Sequence, residues 1–467
     1  MRRYFCSAFI FLCCAWGATA WGTTLPIKAS ANNRYLVDQN NVPFLFVSDA
    51  AHHIVCALAQ ANWNTYFADR QLKGYTVIDI FSTFTTGNCP SSGAAVDGQL
   101  PFTTGNGPSS YDLSTPNPAF WSEIDTLLND AANHNLVVLF NPLITQDFLV
   151  TMQNNGTTKC FNFGAYIGNR YKSFKNIIWY SGNDFQTWHT QSDLNLVAQI
   201  MAGIASADTN HLQSLQLDYF RSYSNQATAT VSATVTLDAV YTYYETYDYI
   251  SQAYSSSPTL PVFLIESNYE GGNNTHQLPG PATPKVVRQE AYWAMTSGAA
   301  GYSWGNESVN HFDTSYPGSL NSPGAAQVRY GPQLFNKYAW WNLVPDTAHA
   351  VVTAGFGNAN TNNENLTTAT YATTAWVTDG SLAMTYSPTT ATLTANMAKF
   401  SKAVSASWYD PTNGTYHPIV GSPFANSGTQ NFATPGTNSE GSSDWILVLS
   451  TALTAPAPPT NLKATVQ

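Results

Sequence analysis

Charged residues are scarce in this chain of 467 residues: Asp, Glu, Lys and Arg make up 10% of it, and the net charge is -10. The sequence contains no basic patch, which argues against nucleic acid or an anionic membrane surface as a partner. It also lacks a Cys/His spacing typical of zinc sites and a Gly-rich phosphate loop after any predicted strand. We therefore expect no metal ion and no cofactor. A Ser-His-Asp hydrolase is disfavoured, because no Gly-x-Ser-x-Gly motif joins a strand to a helix.

Long apolar runs are missing as well, since no run after the first twenty residues could span a membrane. The chain starts with Met1-Arg2-Arg3, continues with an apolar stretch and then has the small-x-small pattern Ala18-Thr19-Ala20. This combination predicts a signal peptide over residues 1–20 and a secreted protein, extracellular or periplasmic. Nothing in the sequence predicts an oligomeric state.

Cysteine is rare outside the predicted signal peptide, where only Cys56, Cys89 and Cys160 remain. An odd number allows at most one disulfide within the chain. Cys56 and Cys89 are the candidate pair, because both are expected on loops that follow the first two strands. The alternative is that all three thiols are unpaired.

Apolar strands alternate with amphipathic helices through most of the chain. Eight strand–helix units predict an α/β fold, a (β/α)8 TIM barrel, with an open doubly wound sheet as the alternative. One segment, residues 222–236, departs from this pattern, because it is rich in Ser, Thr and Ala and gives no helix signal. The predicted strands are Phe44–Ser48, Thr76–Phe81, Leu136–Phe140, Ile177–Ser181, Ser214–Asp218, Ala239–Thr242, Val262–Glu266 and Gly301–Trp304.

Beyond Pro345 the pattern changes to short alternating strands that are separated by turns. This predicts a C-terminal all-β sandwich. We divide the chain into a catalytic domain (21–346), a β-sandwich domain (347–452) and a Pro-rich linker that leads into a possible further β-module (453–467). The join at 340–345 is short and apolar, so the β-domain is expected to cover an apolar flank of the barrel. Substrate binding by this domain is the alternative.

Two acids stand out because each follows a buried apolar run: Asp184 comes after the fourth predicted strand and Glu266 ends the seventh. Active sites of such barrels lie at the carboxyl ends of the strands, where these two acids would face each other across the mouth. A pair of carboxylates at that position is typical of glycoside hydrolases. We assign Asp184 as general acid/base and Glu266 as nucleophile. The alternative is that they cap helices or pair with loop cations, with Glu245 and Glu270 as reserve acids.

Other polar and aromatic residues at the predicted strand ends are candidates for binding a sugar. Asn183 precedes the acid and is suited to a hydrogen bond with a hydroxyl beside the anomeric carbon. Trp304 would offer a flat apolar surface to a sugar ring. For each of them a loop, cap or packing role is the alternative. The full set of predicted substrate-binding residues is Asp49, His52, Asn183, Tyr243, Asn268 and Trp304.

Several short segments together carry a family resemblance that runs from about residue 30 to residue 451. They are Arg34–Asp38, Ser48–Ala51, Asn176–Asp184, Glu266–Gly271, Gly298–Asn306, Trp341–Asp346, Trp408–Pro411 and Asp444–Trp445. This order resembles the apiosidase-like glycoside hydrolases, whose barrel is followed by a β-domain named for collagen binding. The resemblance implies that Asp184 and Glu266 are the catalytic pair.

The chain departs from the family pattern at two places in the predicted sugar pocket. The family usually has Gly-Asp-Thr-Ala-Trp after the first strand, where this chain has Ser48–His52. It usually has Gly-Gly-Asp where this chain has Gly182–Asp184. The resemblance therefore implies the reaction class and not apiose as the sugar.

Together these features predict a secreted glycoside hydrolase that uses two carboxylates, with retention of configuration, on plant or microbial polysaccharide. The expected partner is an oligo- or polysaccharide substrate. A non-catalytic carbohydrate-binding or adhesive surface protein is the first alternative. A peptidase or deaminase on the same barrel is the second, and it would require a metal for which few His and Asp residues lie at the strand ends.

Overall fold

The computed structural model describes residues 23–219, 221–360 and 362–451. The predicted signal peptide and the predicted C-terminal linker and module lie outside the described residues. Within these ranges, no helix combines the length and the apolar character that crossing a membrane requires.

Eight parallel strands form the barrel, and most of their residues are buried β-branched or aromatic side chains, as expected for strands covered on both faces. Their bounds are β1 Phe46–Ala50, β2 Val77–Phe81, β3 Val137–Asn141, β4 Ile177–Gly182, β5 Gln213–Gln216, β6 Asp238–Tyr241, β7 Val262–Glu266 and β8 Gly301–Ser303. They pair in the order β5-β4-β3-β2-β1-β8-β7-β6.

The gap between β5 and β6 is bridged by hydrogen bonds next to the strands. The backbone N–H of Leu237 donates to the carbonyl of Gln213 at 3.2 Å. The Ser214 hydroxyl donates to the carbonyl of Leu237 at 2.8 Å. The sheet is therefore nearly closed, and the predicted (β/α)8 barrel is confirmed. A short antiparallel strand, Ser222–Tyr223, pairs with the outer edge of β6.

The helices lie mainly between the strands, as the barrel requires. Those before β6 are α1 Ile54–Ala57, α2 Trp63–Leu72, α3 Pro118–Asn133, α4 Thr145–Tyr171, α5 Gln191–Ala207 and α6 Thr228–Val231. Those after it are α7 Thr246–Ser255, α8 Pro284–Thr296, α9 Glu307–His311, α10 Tyr316–Ser319, α11 Pro323–Gln327 and α12 Tyr330–Phe335. Short 3-10 turns span Gln60–Asn62, Ser224–Ala227, Trp340–Asn342, Leu366–Thr368 and Met397–Lys399.

Local sequence features explain the course of two helices. Asn117 caps α3, and its side chain accepts a hydrogen bond from the N–H of Ala119 at 3.1 Å. The fourth helix begins at Thr145 and continues through a kink at Gly156, where φ is 73°. Segment 222–236 contains only one four-residue helix, as its composition indicated.

The C-terminal part of the chain is a β-domain of two antiparallel sheets, as predicted. Its strands are β9 Val344–Pro345, β10 Val352–Ala354, β11 Thr373–Trp376, β12 Leu382–Ser387, β13 Thr392–Asn396, β14 Ser405–Tyr409, β15 Tyr416–Pro418, β16 Thr429–Ala433 and β17 Trp445–Ser450. One sheet has the order β9-β11-β12-β17-β14-β15 and the other β10-β13-β16. Three short strands that precede the barrel, Lys28–Ala29, Leu36–Val37 and Pro43–Phe44, form a small sheet of their own.

The β-domain packs on α8 through both apolar and charged contacts. The rings of Tyr292 and Tyr386 stack with centroids 5.5 Å apart. The guanidinium of Arg288, which is 0% exposed, donates two hydrogen bonds of 2.8 Å to the carboxylate of Asp444. The β-domain thus covers an apolar flank of the barrel, as the short join between them indicated.

The structure joins Cys56 and Cys89 in a disulfide with their Cα atoms 5.1 Å apart, which confirms the candidate pair. The bond connects α1 to the long loop after β2. Cys160 is free and buried, and this burial raises the pKa of its thiol to about 12.

Candidate active site

The structure brings Asp184 and Glu266 together at the carboxyl ends of the strands, and two tyrosine hydroxyls lie between them. The hydroxyl of Tyr241 donates to Asp184 Oδ1 at 2.7 Å. The hydroxyl of Tyr243 donates to Glu266 Oε1 at 3.2 Å, and the two tyrosine oxygens are 3.3 Å apart. A continuous polar path therefore connects the two predicted catalytic acids.

Backbone strain is concentrated next to Asp184. Three consecutive residues have a positive φ: Gly182 at 89°, Asn183 at 83° and Asp184 at 41°. Such a conformation is uncommon for residues other than glycine, and it persists only where the surroundings enforce it. Here the carbonyl of Asn183 accepts from Thr145 Oγ1 at 2.5 Å and from the N–H of Gln146 at 3.2 Å. The start of α4 thus holds the loop that carries the acid.

Glu266 is placed by an irregularity in the barrel. The pairing of β6 with β7 shifts by one residue between Val240 and Tyr241, so that Glu266 lies opposite Tyr241. Its other oxygen, Oε2, accepts from Gln216 Nε2 at 2.6 Å. Glu266 is therefore held from β5 as well as from the loop after β6.

Burial sets the ionisation of both acids. It raises the pKa of Glu266 to about 7; a charged His52 would lower this pKa, the Asp184 carboxylate raises it, and donation from Gln216 lowers it. Burial also raises the pKa of Asp184, against the hydrogen bond from Tyr241. Glu266 is buried at 6% exposure, whereas Asp184 is partly exposed. Asp184 is thus the acid with easier access to solvent.

His52 also lies at the site, together with an acid that the sequence analysis missed. His52 Nε2 is 3.3 Å from Asp79 Oδ2, and Asp79 Oδ1 accepts from the Tyr180 hydroxyl at 2.6 Å. The imidazole stacks on Phe81 at 3.9 Å. Burial opposes protonation of His52, but Asp79, Glu266 and Asp184 together raise its pKa. Asp79 could have been noticed as an acid inside the apolar run of β2, the same signal that marked Glu266.

Among the described residues, the side-chain amide of Asn183 has one unpaired oxygen next to Asp184. Its Nδ2 is 3.5 Å from Gln216 Oε1, and its buried Oδ1 has no hydrogen-bond partner in the described part of the chain. An unpaired buried acceptor beside a candidate catalytic acid is suited to a substrate hydroxyl.

Asp49 is not brought to this site, which corrects its predicted role. Side chains alternate between the two faces of a strand. In β1, Phe46 points into the barrel, where its ring lies 4.7 Å from that of Phe263 on β7. Asp49 points the other way and is fully buried against α2, where it accepts from Tyr66 at 2.7 Å and pairs with Arg70 at 3.2 Å. It holds α2 to the barrel and cannot touch a sugar.

Asn268 and Trp304 also have partners away from the two acids. Asn268 Nδ2 donates to Glu290 Oε1 on α8 at 2.8 Å. The Trp304 ring is 2% exposed and lies near Tyr302 in the apolar cluster that joins the barrel to the β-domain. No described contact links either side chain to Asp184 or Glu266, so the packing role is the one that the structure shows.

Of the two reserve acids, Glu270 is placed in a structural role. Glu270 accepts from the N–H of Gly324 at 3.0 Å and from the Ser322 hydroxyl at 2.5 Å, which anchors the loop before α11. Glu245 precedes α7, and burial raises its pKa to about 7. Among the described residues, no group of three or more His, Cys, Asp and Glu side chains is arranged to hold a metal ion.

Comparison with solved structures shows that this chain shares its fold with two proteins described as glycoside hydrolases. A crystal structure of a glycoside hydrolase family 5 protein from Bacteroides vulgatus ATCC 8482 superposes with a TM-score of 0.77 at 18% identity, over 92% of this chain and 95% of that one. A second structure, described as a glycoside hydrolase, superposes with a TM-score of 0.76 at 18% identity, over 92% and 98% of the two chains. At this identity the likeness concerns the fold.

Comparison with family models is more specific. No curated protein sequence matches the chain significantly. Residues 357–450 match the family described as "Putative collagen-binding domain of a collagenase". Residues 30–342, more than half of the chain, match the family described as "Apiosidase-like, catalytic domain". The chain therefore belongs to the apiosidase-like family, and it is a glycosidase.

Proposed function

We propose that this glycosidase is secreted and cleaves plant or microbial polysaccharide with retention of configuration, using Asp184 as general acid/base and Glu266 as nucleophile. The observation that carries the proposal is the pair of carboxylates at the ends of β4 and β7, connected by the hydroxyls of Tyr241 and Tyr243.

The surroundings of the two acids support this division of roles. A nucleophile must be ionised and fixed in place; burial raises the pKa of Glu266, but it accepts hydrogen bonds from Gln216 and Tyr243, which favour the ionised form and fix its position. A general acid/base must exchange its proton with the leaving group and then with water. Asp184 is the more exposed of the two and has one tyrosine donor. Glu266 is thus suited to attack and Asp184 to proton transfer.

In the proposed first step, a Glu266 oxygen attacks the anomeric carbon while Asp184 protonates the departing glycosidic oxygen. In the second step, Asp184 takes a proton from a water molecule, which attacks the glycosyl-enzyme ester and releases Glu266. The unpaired Oδ1 of Asn183 accepts a hydrogen bond from a hydroxyl of the sugar in this arrangement. Two displacements at the same carbon retain its configuration.

The predicted location and substrate class have independent support. The Cys56–Cys89 disulfide is expected in oxidising compartments, which agrees with the signal peptide predicted over residues 1–20. The side chains around the acid pair are amides, tyrosine hydroxyls and an imidazole, a set that suits the hydroxyl groups of an oligosaccharide.

The test is a screen of the purified protein on pectic and hemicellulosic oligosaccharides, with the anomeric configuration of the product followed by NMR. Asp184→Ala and Glu266→Ala should each lose activity by about 10²- to 10⁴-fold. With an activated aryl glycoside, added azide should give a glycosyl azide of retained configuration in the Asp184 variant and of inverted configuration in the Glu266 variant. Asp379→Asn, an exposed residue of the β-domain, is the control.

Near wild-type hydrolysis in both alanine variants would disprove the assignment. Glycan binding without hydrolysis by the wild type would favour the alternative of a carbohydrate-binding protein.

A further inference from the structure

One loop of the β-domain reaches the mouth of the barrel. It follows β10 and comprises residues 357–360 and 362–365, which we call the Asn-rich loop. Five of its residues are asparagines, and their amides can both donate and accept hydrogen bonds. They are Asn358, Asn360, Asn362, Asn363 and Asn365.

The Asn-rich loop is attached to the barrel at two points. The Tyr247 hydroxyl, in the first turn of α7, donates to the carbonyl of Asn360 at 2.8 Å and accepts from its N–H at 2.8 Å. Arg221, which follows β5, donates from Nη1 to Asn362 Oδ1 at 2.7 Å. The loop is therefore docked on the rim between the carboxyl ends of β5 and β6.

A series of side-chain contacts connects this docking point with the acid pair. The Arg221 guanidinium lies 4.3 Å over the ring of Tyr244. The neighbouring residue, Tyr243, donates to Glu266 at 3.2 Å, and its ring centroid is 6.1 Å from that of Tyr219. Aromatic rings and hydrogen-bonding groups thus extend from Glu266 outward to Asn362.

The exposed side of the Asn-rich loop remains open to a ligand. Asn358, Asn360 and Asn362 are all exposed. In the described part of the chain, the Nδ2 of Asn362 has no hydrogen-bond partner, because Arg221 engages only its Oδ1. The exposed amides of the loop supply both donors and acceptors, which a sugar with several hydroxyls requires.

We infer that the Asn-rich loop forms the outer wall of the substrate cleft and binds sugar units beyond the bond that is cleaved. The ligand class is an oligosaccharide of several neutral, hydroxyl-rich units, and the amide of Asn362 donates to one of its hydroxyls. This inference rests on the proposed glycosidase function. It gives the β-domain a part in substrate length and specificity in addition to covering a flank of the barrel.

Two substitutions separate sugar binding from docking of the loop. Asn362→Ala removes both the contact with Arg221 and the amide donor. Asn362→Asp keeps an oxygen for Arg221 and removes the donor alone, so a residue that only docked the loop would tolerate it. Asn431→Ala, at an exposed asparagine of β16, is the matched control. Thermal unfolding of each full-length variant shows whether it is folded.

The kinetic constants are measured on a disaccharide and a hexasaccharide from the same pectic or hemicellulosic series. Loss of one hydrogen bond predicts that KM for the hexasaccharide rises about 5- to 10-fold in both Asn362 variants. Hydrolysis of the disaccharide should not change. An unchanged KM for the hexasaccharide in Asn362→Asp, or equal changes on the two substrates, would overturn the inference while the glycosidase function stands.

If the wild type hydrolyses neither oligosaccharide, the proposed function fails and the loop is tested by binding. Calorimetry with the hexasaccharide should then give weaker binding to Asn362→Asp than to the wild type. Equal affinity of the two proteins would overturn the inference.

Discussion

The hydroxyl oxygens of Tyr241 and Tyr243 lie 3.3 Å apart between the carboxylates of Asp184 and Glu266. The path from acid to acid contains three oxygen–oxygen contacts, whereas the two tyrosines supply only two protons. All three contacts can be hydrogen bonds only when one of the acids is protonated. A single proton on the pair would complete the path, and it is the state that a retaining glycosidase needs before the first step.

Substitution of either tyrosine should move one limb of the pH profile. Tyr241→Phe removes the donor to Asp184, so its carboxylate is less stable and the pKa of the pair's last proton rises. The alkaline limb of kcat/KM should shift to higher pH by about one to two units, since a hydrogen bond to a charged group contributes about 1.5–3 kcal/mol. Tyr243→Phe removes a donor from Glu266 and should instead shift the acidic limb of kcat/KM to higher pH.

The control for this experiment is Tyr111→Phe, whose hydroxyl donates to the carbonyl of Ser92 and contacts neither acid. Its profile should coincide with that of the wild type. The two apparent pKa values of the profile belong to both acids together, because the acids titrate as a pair. If neither limb of the profile moves in Tyr241→Phe or Tyr243→Phe, the tyrosines do not govern the ionisation of that pair.

Gly182 should not tolerate a side chain. Its φ is 89°, and an added Cβ would lie 1.9 Å from the carbonyl oxygen of Gln216, so the backbone would have to move. Gly182→Ala should shift the strained loop that carries Asp184 and lower kcat about 10²-fold, because a displacement of about 1 Å is enough for such a loss. Steady-state kinetics and the melting temperature are the measurements.

Gly436→Ala provides the comparison for the backbone conformation alone. Its φ is 99°, and nothing lies within 4 Å of its added Cβ. This variant should be less stable but should keep its activity. Equal activity of the two glycine variants would show that close contact with Gln216 is not what places Asp184.

Glu290 should make the protein less stable as the pH rises. Burial raises its pKa to about 8, from 4.5, although the Asn268 side chain lowers it. The folded state therefore keeps a proton that the unfolded state loses, and the free energy of unfolding falls between about pH 4.5 and pH 8. Glu290→Gln retains the acceptor for Asn268 and should be more stable than the wild type at pH 8, by on the order of a few kcal/mol.

At pH 4 the two proteins should have similar stability, because Glu290 is then protonated in both folded and unfolded states. Chemical denaturation at several pH values from 4 to 8 measures the difference. A constant difference over this range would mean that Glu290 does not carry the pH dependence.

Arg288 should be essential for the attachment of the β-domain. Its guanidinium bonds Asp444 twice and also pairs with Glu440 at 3.0 Å. Arg288→Met would leave the Asp444 carboxylate buried without its main partner, which costs about 3–5 kcal/mol. Denaturant unfolding should show this loss. Lys402→Ala, at an exposed position of the β-domain, should change the free energy of unfolding by less than about 0.5 kcal/mol. A small effect in both variants would mean that apolar packing alone holds the domains together.

Local patterns in the sequence were sufficient for the architecture and for the two acids. Buried apolar runs predicted most of the barrel strands, because strands covered on both faces have no polar alternation. Charged residues are unfavourable in such runs, so Asp184 and Glu266 at strand ends were conspicuous. The change to alternating strands after Pro345 likewise predicted the β-domain, and the positions of Cys56 and Cys89 predicted their pairing.

Which side chains meet was decided by the tertiary structure. Asp49 and Asp79 are both acids in apolar strands, but they lie on different faces of the barrel sheet. Asp49 on β1 contacts α2, whereas Asp79 on β2 contacts His52. The one-residue shift between β6 and β7 brings Glu266 opposite Tyr241. These relationships depend on register and on contacts between segments distant in the chain, whereas periodicity reports only whether a segment is buried. The sequence by itself therefore determined the barrel, the β-domain and the candidate acids. Only the folded structure determined two further features: the path of tyrosine hydroxyls that connects the two acids, and the position of the Asn-rich loop at the rim of the barrel.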